Sequence, residues 1–168
     1  MKNLIILSKT AVLFILCLAV FLVIPASAGQ YESLKGLKSV KTIFDFRDGD
    51  TGSALIHLQL VHATYKDQAI QAISQKPDFV VVFMDSSVLL LSKDREKFSD
   101  AEKNQLEEFD KTISAMVNDG IRLEVCLFAA NLLGVKPETI ASEIHQVENG
   151  WIASLGYQQK GYSLIPAY

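Results

Sequence analysis

Thiol chemistry is the first chemistry that this sequence offers. Of its two cysteines, Cys126 follows a strand-like run, residues 121–125, and precedes a short helical pattern. A cysteine between a strand end and a helix N-terminus meets free backbone amides, which favour the nucleophilic thiolate. A thiolate is the species that attacks sulfur in disulfide exchange and in sulfur transfer. The apolar neighbours on both sides and the acidic Glu124 oppose ionisation, so a buried, inert Cys126 is the alternative.

A set of mostly polar side chains surrounds the ends of two other predicted strands. Ligands of open α/β sheets bind outside the carboxyl ends of the strands, which is where these side chains would lie. A histidine early in the helix after the first strand can face the same edge. The predicted ligand-binding residues beside Cys126 are therefore His57, Arg47, Asp45, Asp48, Met84 and Ser86. Two roles remain open for Arg47: it binds an anion at the strand end, or it pairs with an aspartate.

The sequence gives no indication of metal chemistry. His57 and His62 are five residues apart, whereas two ligands on one helical face are four apart. Asp45, Asp48 and Asp50 lack the spacing of a calcium loop, and a turn followed by a helix N-cap explains them better. The sequence also contains no P-loop and no GxGxxG motif. We therefore expect no metal and no cofactor.

Hydrophobic periodicity predicts the elements that position these residues. Alternating or continuous apolar runs predict strands at residues 40–46, 79–84, 121–125 and 162–166. Helical spacing and a capping box predict helices at 53–73, 99–118, 128–133, 137–146 and 149–161. Residues 86–92 fit either a helical turn or a strand. Strands that alternate with helices predict an α/β fold: a three-layer sandwich with a mostly parallel β-sheet flanked by helices.

The N-terminal residues indicate an exported protein. Basic residues precede an apolar run at 11–24, and small residues at 26–28 provide a cleavage site. We predict a signal peptide at 1–28, a polar lead at 29–39 and one α/β domain at 40–168. The rival is an uncleaved membrane anchor, but the apolar run is shorter than the roughly 20 residues of a spanning helix. The expected location is the periplasm of a Gram-negative bacterium.

Removal of the signal peptide limits both the thiol chemistry and the partners. It takes away Cys17, so Cys126 becomes a single thiol that cannot form an internal disulfide. The full chain carries a net charge of −3, and loss of the two lysines of the signal peptide makes the remainder more acidic. Such a chain lacks the basic surface that nucleic acid or an anionic membrane binds. We therefore expect no nucleic-acid partner and, after cleavage, no membrane partner.

A resemblance to a known family adds to these observations. The stretch GIRLEVCLFAANLLGV, with FVVVFM and the closing NGWIASLGYQQKGYSLIPAY, resembles the DsrE/DsrF-like family of sulfur-relay proteins, in particular an exported branch. The likeness spans roughly residues 40–168 and is most specific at Val125-Cys126, Ala129-Ala130 and Gly134-Val135. It implies a parallel sheet flanked by helices, Cys126 as the carrier of a persulfide, and a homo-oligomer, either a trimer or a hexamer.

The sequence therefore supports two alternative functions. In the first, the protein is a periplasmic sulfur carrier or sulfurtransferase, a carrier rather than a turnover enzyme. Its partners are then thiols or sulfane-sulfur donors and acceptors, proteins among them. In the second, the protein is a non-catalytic module of the same fold that binds a small ligand or a protein, with Cys126 buried. The exposure of Cys126 distinguishes the two.

Overall fold

Strands and helices alternate along the chain. The computed structural model describes residues 31–168, so the predicted signal peptide, its cleavage site and Cys17 lie outside the described residues. The strands are β1 (Lys41–Phe46), β2 (Asp78–Phe83), β3 (Arg122–Cys126), β4 (His145–Val147) and β5 (Ser163–Ala167). The helices are α1 (Thr51–Lys66), α2 (Gln68–Ile73), α3 (Asp100–Asn118), α4 (Leu127–Leu132) and α5 (Gly150–Gln159). Short 3₁₀ helices lie at Glu32–Leu34, Asp85–Leu91 and Pro137–Thr139.

The five strands form one parallel sheet in the order β4-β3-β2-β1-β5. The chain runs from β1 to β4 in one direction and then returns to place β5 beside β1. In the register of the central strands, Phe46 lies opposite Phe83, and Phe83 lies opposite Val125. The carboxyl ends of β1, β2 and β3 therefore meet at one edge of the sheet. This topology confirms the predicted α/β fold with a parallel sheet.

One face of the sheet is aromatic and is covered by α1 and α3. The Phe83 ring lies 5.1 Å from that of Phe46 and 6.2 Å from that of Phe109 on α3. Phe79 contacts Tyr65 of α1, with ring centroids 5.5 Å apart. Packing of this kind fixes α1 and α3 on the same side of the sheet.

The opposite face of the sheet is covered by α5. Because side chains alternate along a strand, Glu124 and Cys126 of β3 point away from α3. The hydroxyl of Tyr157 on α5 donates a hydrogen bond of 2.6 Å to Oε1 of Glu124, which places α5 on this face. The three layers are thus α1 with α3, the sheet, and α5. Glu124 and Cys126 lie in the same inter-layer space.

Two helix starts follow the capping chemistry expected from the sequence. The Asp50 carboxylate accepts hydrogen bonds from the backbone amides of Gly52 and Ser53, at 3.0 and 2.9 Å, and so caps α1. Ser99 and Glu102 form a capping box at the start of α3. Side-chain acceptors of this kind satisfy amides that have no partner inside the helix. The N-cap explanation for Asp50 is therefore confirmed.

Two of the predicted helices are corrected by the structure. The helix predicted at 137–146 is wrong, since Pro137–Thr139 is a 3₁₀ turn and His145–Val147 is the edge strand β4. Pairing with residues 124–126 of β3 satisfies the backbone of β4 and overrides the local helical pattern. The helix predicted at 53–73 is two helices, because Asp67 ends α1 and its carboxylate caps α2. Of the ambiguous stretch 86–92, residues 86–91 lie in a 3₁₀ helix, and Ser92 follows it as an isolated β-bridge to Ile140.

No helix within residues 31–168 is both long and apolar enough to cross a bilayer.

Candidate functional site

Cys126 is the last residue of β3 and directly precedes α4. It is free, and only 5% of its surface is exposed. The residue continues the β3 ladder, opposite Val147 of β4. The predicted succession of strand, cysteine and short helix is therefore present, and the sulfur lies at the carboxyl edge of the sheet.

A cavity of about 380 Å³ opens beside Cys126 at this edge. Its walls come from the ends of three strands and from the starts of α4 and α5. The lining residues are Arg47, Met84, Asp85, Cys126, Phe128, Ala129, Leu132, Asn149 and Trp151. The structure thus brings together Cys126 and two members of the predicted ligand set, Arg47 and Met84. Cys126 therefore forms part of the inner surface of this cavity.

Gly150, the first residue of α5, packs against Met84 and Cys126 on the inner surface of the cavity. A Cβ atom at this position would be 2.5 Å from Sδ of Met84 and 3.1 Å from Cβ of Cys126. Separations below about 3.4 Å are shorter than ordinary carbon contacts. The absence of a side chain at Gly150 therefore lets the N-terminus of α5 approach the cysteine closely.

Arg47 supplies the cation of the cavity wall. Its Nε donates to both carboxylate oxygens of Asp45, at 2.9 and 3.0 Å. Asp45 is buried, and its hydrogen bond to the guanidinium is the main cause that raises the pKa of Arg47. Of the two roles open from the sequence, pairing with an aspartate is observed. Because Nε makes both bonds, they leave the terminal amino groups of Arg47 unused.

Asp85 and Asn149 line the cavity, although the sequence reasoning missed both. Asp85 adopts a left-handed backbone conformation with φ of 55° immediately after β2, which aspartate tolerates better than most residues. Asn149 caps α5, since its side-chain oxygen accepts from the backbone amide of Trp151 at 2.9 Å. The position of Asp85 directly behind a predicted strand was the available signal. Nothing in the local sequence showed that Asn149 would reach the same edge.

The remaining members of the predicted ligand set do not line this cavity. His57 contributes to a second cavity, about 330 Å³, on the α1 side of the sheet between α1 and β5. Its Nδ1 is 2.9 Å from Oδ2 of Asp48, but this contact lacks the geometry of a hydrogen bond. Ser86 stabilises the loop after β1, because its hydroxyl donates a hydrogen bond of 2.9 Å to the backbone oxygen of Arg47. His57 and Asp48 thus contact each other and do not line the cavity beside Cys126.

A carboxylate, a guanidinium and a phenol meet between β3 and α5. Glu124 is 3% exposed, and its Oε1 accepts from Nε of Arg122 and from the hydroxyl of Tyr157, both at 2.6 Å. Burial, followed by the hydrogen bond to Glu124, raises the pKa of Tyr157 to about 12. A buried charge is tolerated when it is paired and hydrogen-bonded in this way. The cluster anchors α5, whose first residue packs on Cys126.

A match to a known family connects this geometry with other proteins. A model of the DsrE/DsrF-like family matches residues 42–166. The chain belongs to the DsrE/DsrF-like family. The match includes every residue that lines the cavity. The resemblance noted from the sequence is confirmed.

Similar proteins support the DsrE-like fold. The structure of MTH1491, a protein of unknown function from Methanobacterium thermoautotrophicum, has a TM-score of 0.58 and 16% identity, covering 76% of this chain and 99% of its own. The ychN protein of E. coli has a TM-score of 0.53 and 10% identity, covering 76% and 98%. An uncharacterized protein of Aquifex aeolicus is 24% identical over 130 residues. That match covers 76% of this chain but 56% of the Aquifex protein, so the chain spans about half the length of this relative.

Residues 31–168 contain no group of three or more His, Cys, Asp or Glu side chains arranged to hold a metal ion. His62 instead bonds through Nε2 to Oδ2 of Asp119 at 2.6 Å. Lys66 also bonds to Oδ2 of Asp119, with its Nζ at 3.0 Å. The hydrogen bonds from His62 and Lys66 lower the pKa of the Asp119 carboxyl. His62 therefore links α1 to the end of α3.

Proposed function

We propose that this DsrE-like protein carries sulfur on Cys126 as a persulfide and passes it to another thiol. The observation that carries the proposal is that Cys126 forms part of the wall of a ligand-sized cavity at the carboxyl edge of a parallel sheet. The role of persulfide carrier is what the family resemblance implies for this cysteine. The protein is then a carrier or sulfurtransferase, and its donor and acceptor are sulfane-sulfur compounds or thiols, on small molecules or proteins.

The surroundings of Cys126 suit this chemistry in one respect. The low exposure of Cys126 keeps bulk water away from a bound persulfide. Exclusion of water protects reactive intermediates from side reactions.

A second function is favoured by one observation. Cys126 is 5% exposed, and the backbone of Gly150 lies directly against it. Free cysteines with this burial often serve as small apolar core residues. In that case the cavity belongs to a non-catalytic module that binds a small ligand or a protein, and the thiol is inert.

Thiol accessibility separates the two functions. We expect iodoacetamide to label Cys126 in the native protein within minutes, and a polysulfide donor to add about 32 Da, one sulfur atom, to the same residue. Both changes should be absent from Cys126→Ser, and peptide mapping distinguishes Cys126 from Cys17. Labelling only after denaturation, with no sulfur gained, would establish the binding module instead.

We also propose that the protein is exported to the periplasm of a Gram-negative bacterium and begins at Gly29. The charged, apolar and small segments at residues 1–28 support this. N-terminal sequencing of the periplasmic fraction is expected to start at Gly29. A chain that still begins at Met1 and remains in the membrane fraction would identify the segment as an anchor.

Homo-oligomerisation is a further proposal, with a trimer or a hexamer expected. Apolar side chains are exposed along α1 and the edge strand β5. They include Ile56 and Leu60, at 65% and 61% exposure, and Tyr168 at 71%. Exposed apolar surfaces of this kind mark association sites. Light scattering should give a multiple of the chain mass, and a monomer mass across a wide concentration range would refute the proposal.

A further inference from the structure

The cavity beside Cys126 is much larger than one transferred sulfur requires. Its volume is about 380 Å³, whereas a water molecule, close in size to a sulfur atom, takes about 30 Å³. Pockets for small organic molecules have volumes of roughly 300–1,000 Å³. The cavity therefore has room for the body of a donor as well as for the sulfur that it delivers.

The walls of the cavity are mostly apolar. Trp151 and Phe128 stand at its rim with 68% and 66% of their surfaces exposed, and Leu132 is 75% exposed. Met84 and Ala129 are buried and close the inner wall. An apolar ligand would remove this surface from water, which is favourable. A strongly hydrated ligand would lose its own water without that gain.

The charged groups at the cavity carry no net positive charge, because two carboxylates accompany one cation. Arg47 is the one cation among the lining residues, and Asp45 holds its Nε through two hydrogen bonds. Asp85 adds a carboxylate to the wall, and its charge acts on Arg47 together with that of Asp45. A compact dianion such as thiosulfate therefore meets no net positive charge, although electrostatic complementarity is what would select it.

We infer, given the sulfur-carrying role proposed for Cys126, that its donor is a low-molecular-weight organic persulfide with an apolar aryl or alkyl body. The Cys126 thiolate attacks the terminal sulfur of R–S–SH. The donor S–S bond breaks as the new S–S bond forms, and R–S⁻ leaves with the electron pair and takes up the proton that Cys126 has released. The products are Cys126–S–SH and R–SH, so no external oxidant or reductant takes part.

Donor preference and one rim residue test this inference. Intact mass measures the rate at which Cys126 gains one sulfur from benzyl persulfide, glutathione persulfide and thiosulfate. We expect benzyl persulfide to be faster than either hydrophilic donor by about tenfold, since partial burial of an aromatic ring has an effect of that size. Trp151→Ala should reduce the benzyl rate by about tenfold and change the glutathione rate by less than about twofold.

Ile152→Ala is the matched control. Ile152 is the next residue of α5 and is 69% exposed, but it does not line the cavity, so both rates should stay unchanged. Equal or faster loading from glutathione persulfide or thiosulfate would overturn the apolar donor and leave sulfur carriage by Cys126 intact. An equal fall in the rate of loading from benzyl persulfide in Trp151→Ala and Ile152→Ala would also overturn the apolar donor. Failure of all three donors to load Cys126 would instead remove the sulfur-carrying function itself.

Discussion

Gly150→Val is expected to destabilise the protein by about 1–3 kcal/mol, the range for overpacking. A Cβ at this position would lie 2.5 Å from Sδ of the buried Met84 and 3.1 Å from Cβ of Cys126. Met84 is a flexible side chain that can move partly into the cavity, whereas the Cβ of Cys126 is held by the β3 ladder. The start of α5 must therefore move outward. Urea denaturation followed by circular dichroism measures the loss.

The same change should also alter the cavity, because α5 carries Asn149 and Trp151 on its wall. We therefore expect the rate of Cys126 alkylation under native conditions to differ from that of the unaltered protein. Gly156→Val is the control, since a Cβ at Gly156 in the same helix would meet no atom within 4 Å. Valine is a better helix former than glycine, so Gly156→Val should be neutral or slightly stabilising. Equal losses in the two variants would mean that contact with Met84 and Cys126 does not cause the effect.

Arg122→Met is expected to reduce the free energy of unfolding by about 2–4 kcal/mol, because it leaves a buried carboxylate without its counter-charge. Glu124 is 3% exposed, and Arg122 is the cation that bonds its Oε1. Methionine keeps much of the apolar stem of the arginine, so packing changes little. Tyr157 alone then remains as a hydrogen-bond donor to Oε1. The midpoint of urea denaturation is the measurement.

Two comparisons show whether the buried charge is the cause. Lys111→Met removes one partner of an exposed pair, in which Lys111 and Glu108 lie 2.7 Å apart, and should change stability by less than about 0.5 kcal/mol. Adding Glu124→Leu to Arg122→Met should recover most of the loss, since the uncompensated charge is gone. A double variant no more stable than Arg122→Met would contradict this explanation.

The sequence revealed the central part of the fold because its patterns there are strong. The run FVVVFM is buried along β2 on both faces of the sheet, as a continuous apolar run predicts. The capping box at Ser99 fixed the start of α3. Strand β4 was missed because it has three residues and lies at the edge, where a single neighbour, β3, defines it. Such pairing depends on tertiary contacts, which a local sequence pattern does not show.

The candidate site was only partly predictable for a related reason. Arg47, Met84 and Cys126 could be placed at one edge because they end or directly follow parallel strands, and strand ends meet wherever the sheet is parallel. His57 was misplaced relative to Cys126, since the sequence does not show which face of the sheet α1 covers. Asn149 and Trp151 reach the cavity only because β5 returns to pair with β1, and this return lays α5 across the face that holds Cys126.

The mass of the protein isolated from its own cells, with and without reductant, tests sulfur carriage by Cys126 most directly. We expect part of the population to be heavier by about 32 Da, the mass of one sulfur atom, and this excess to disappear on reduction. Peptide mapping should place the added sulfur on Cys126. A single mass that reductant does not change, together with a Cys126 that iodoacetamide reaches only after denaturation, would contradict the persulfide carrier.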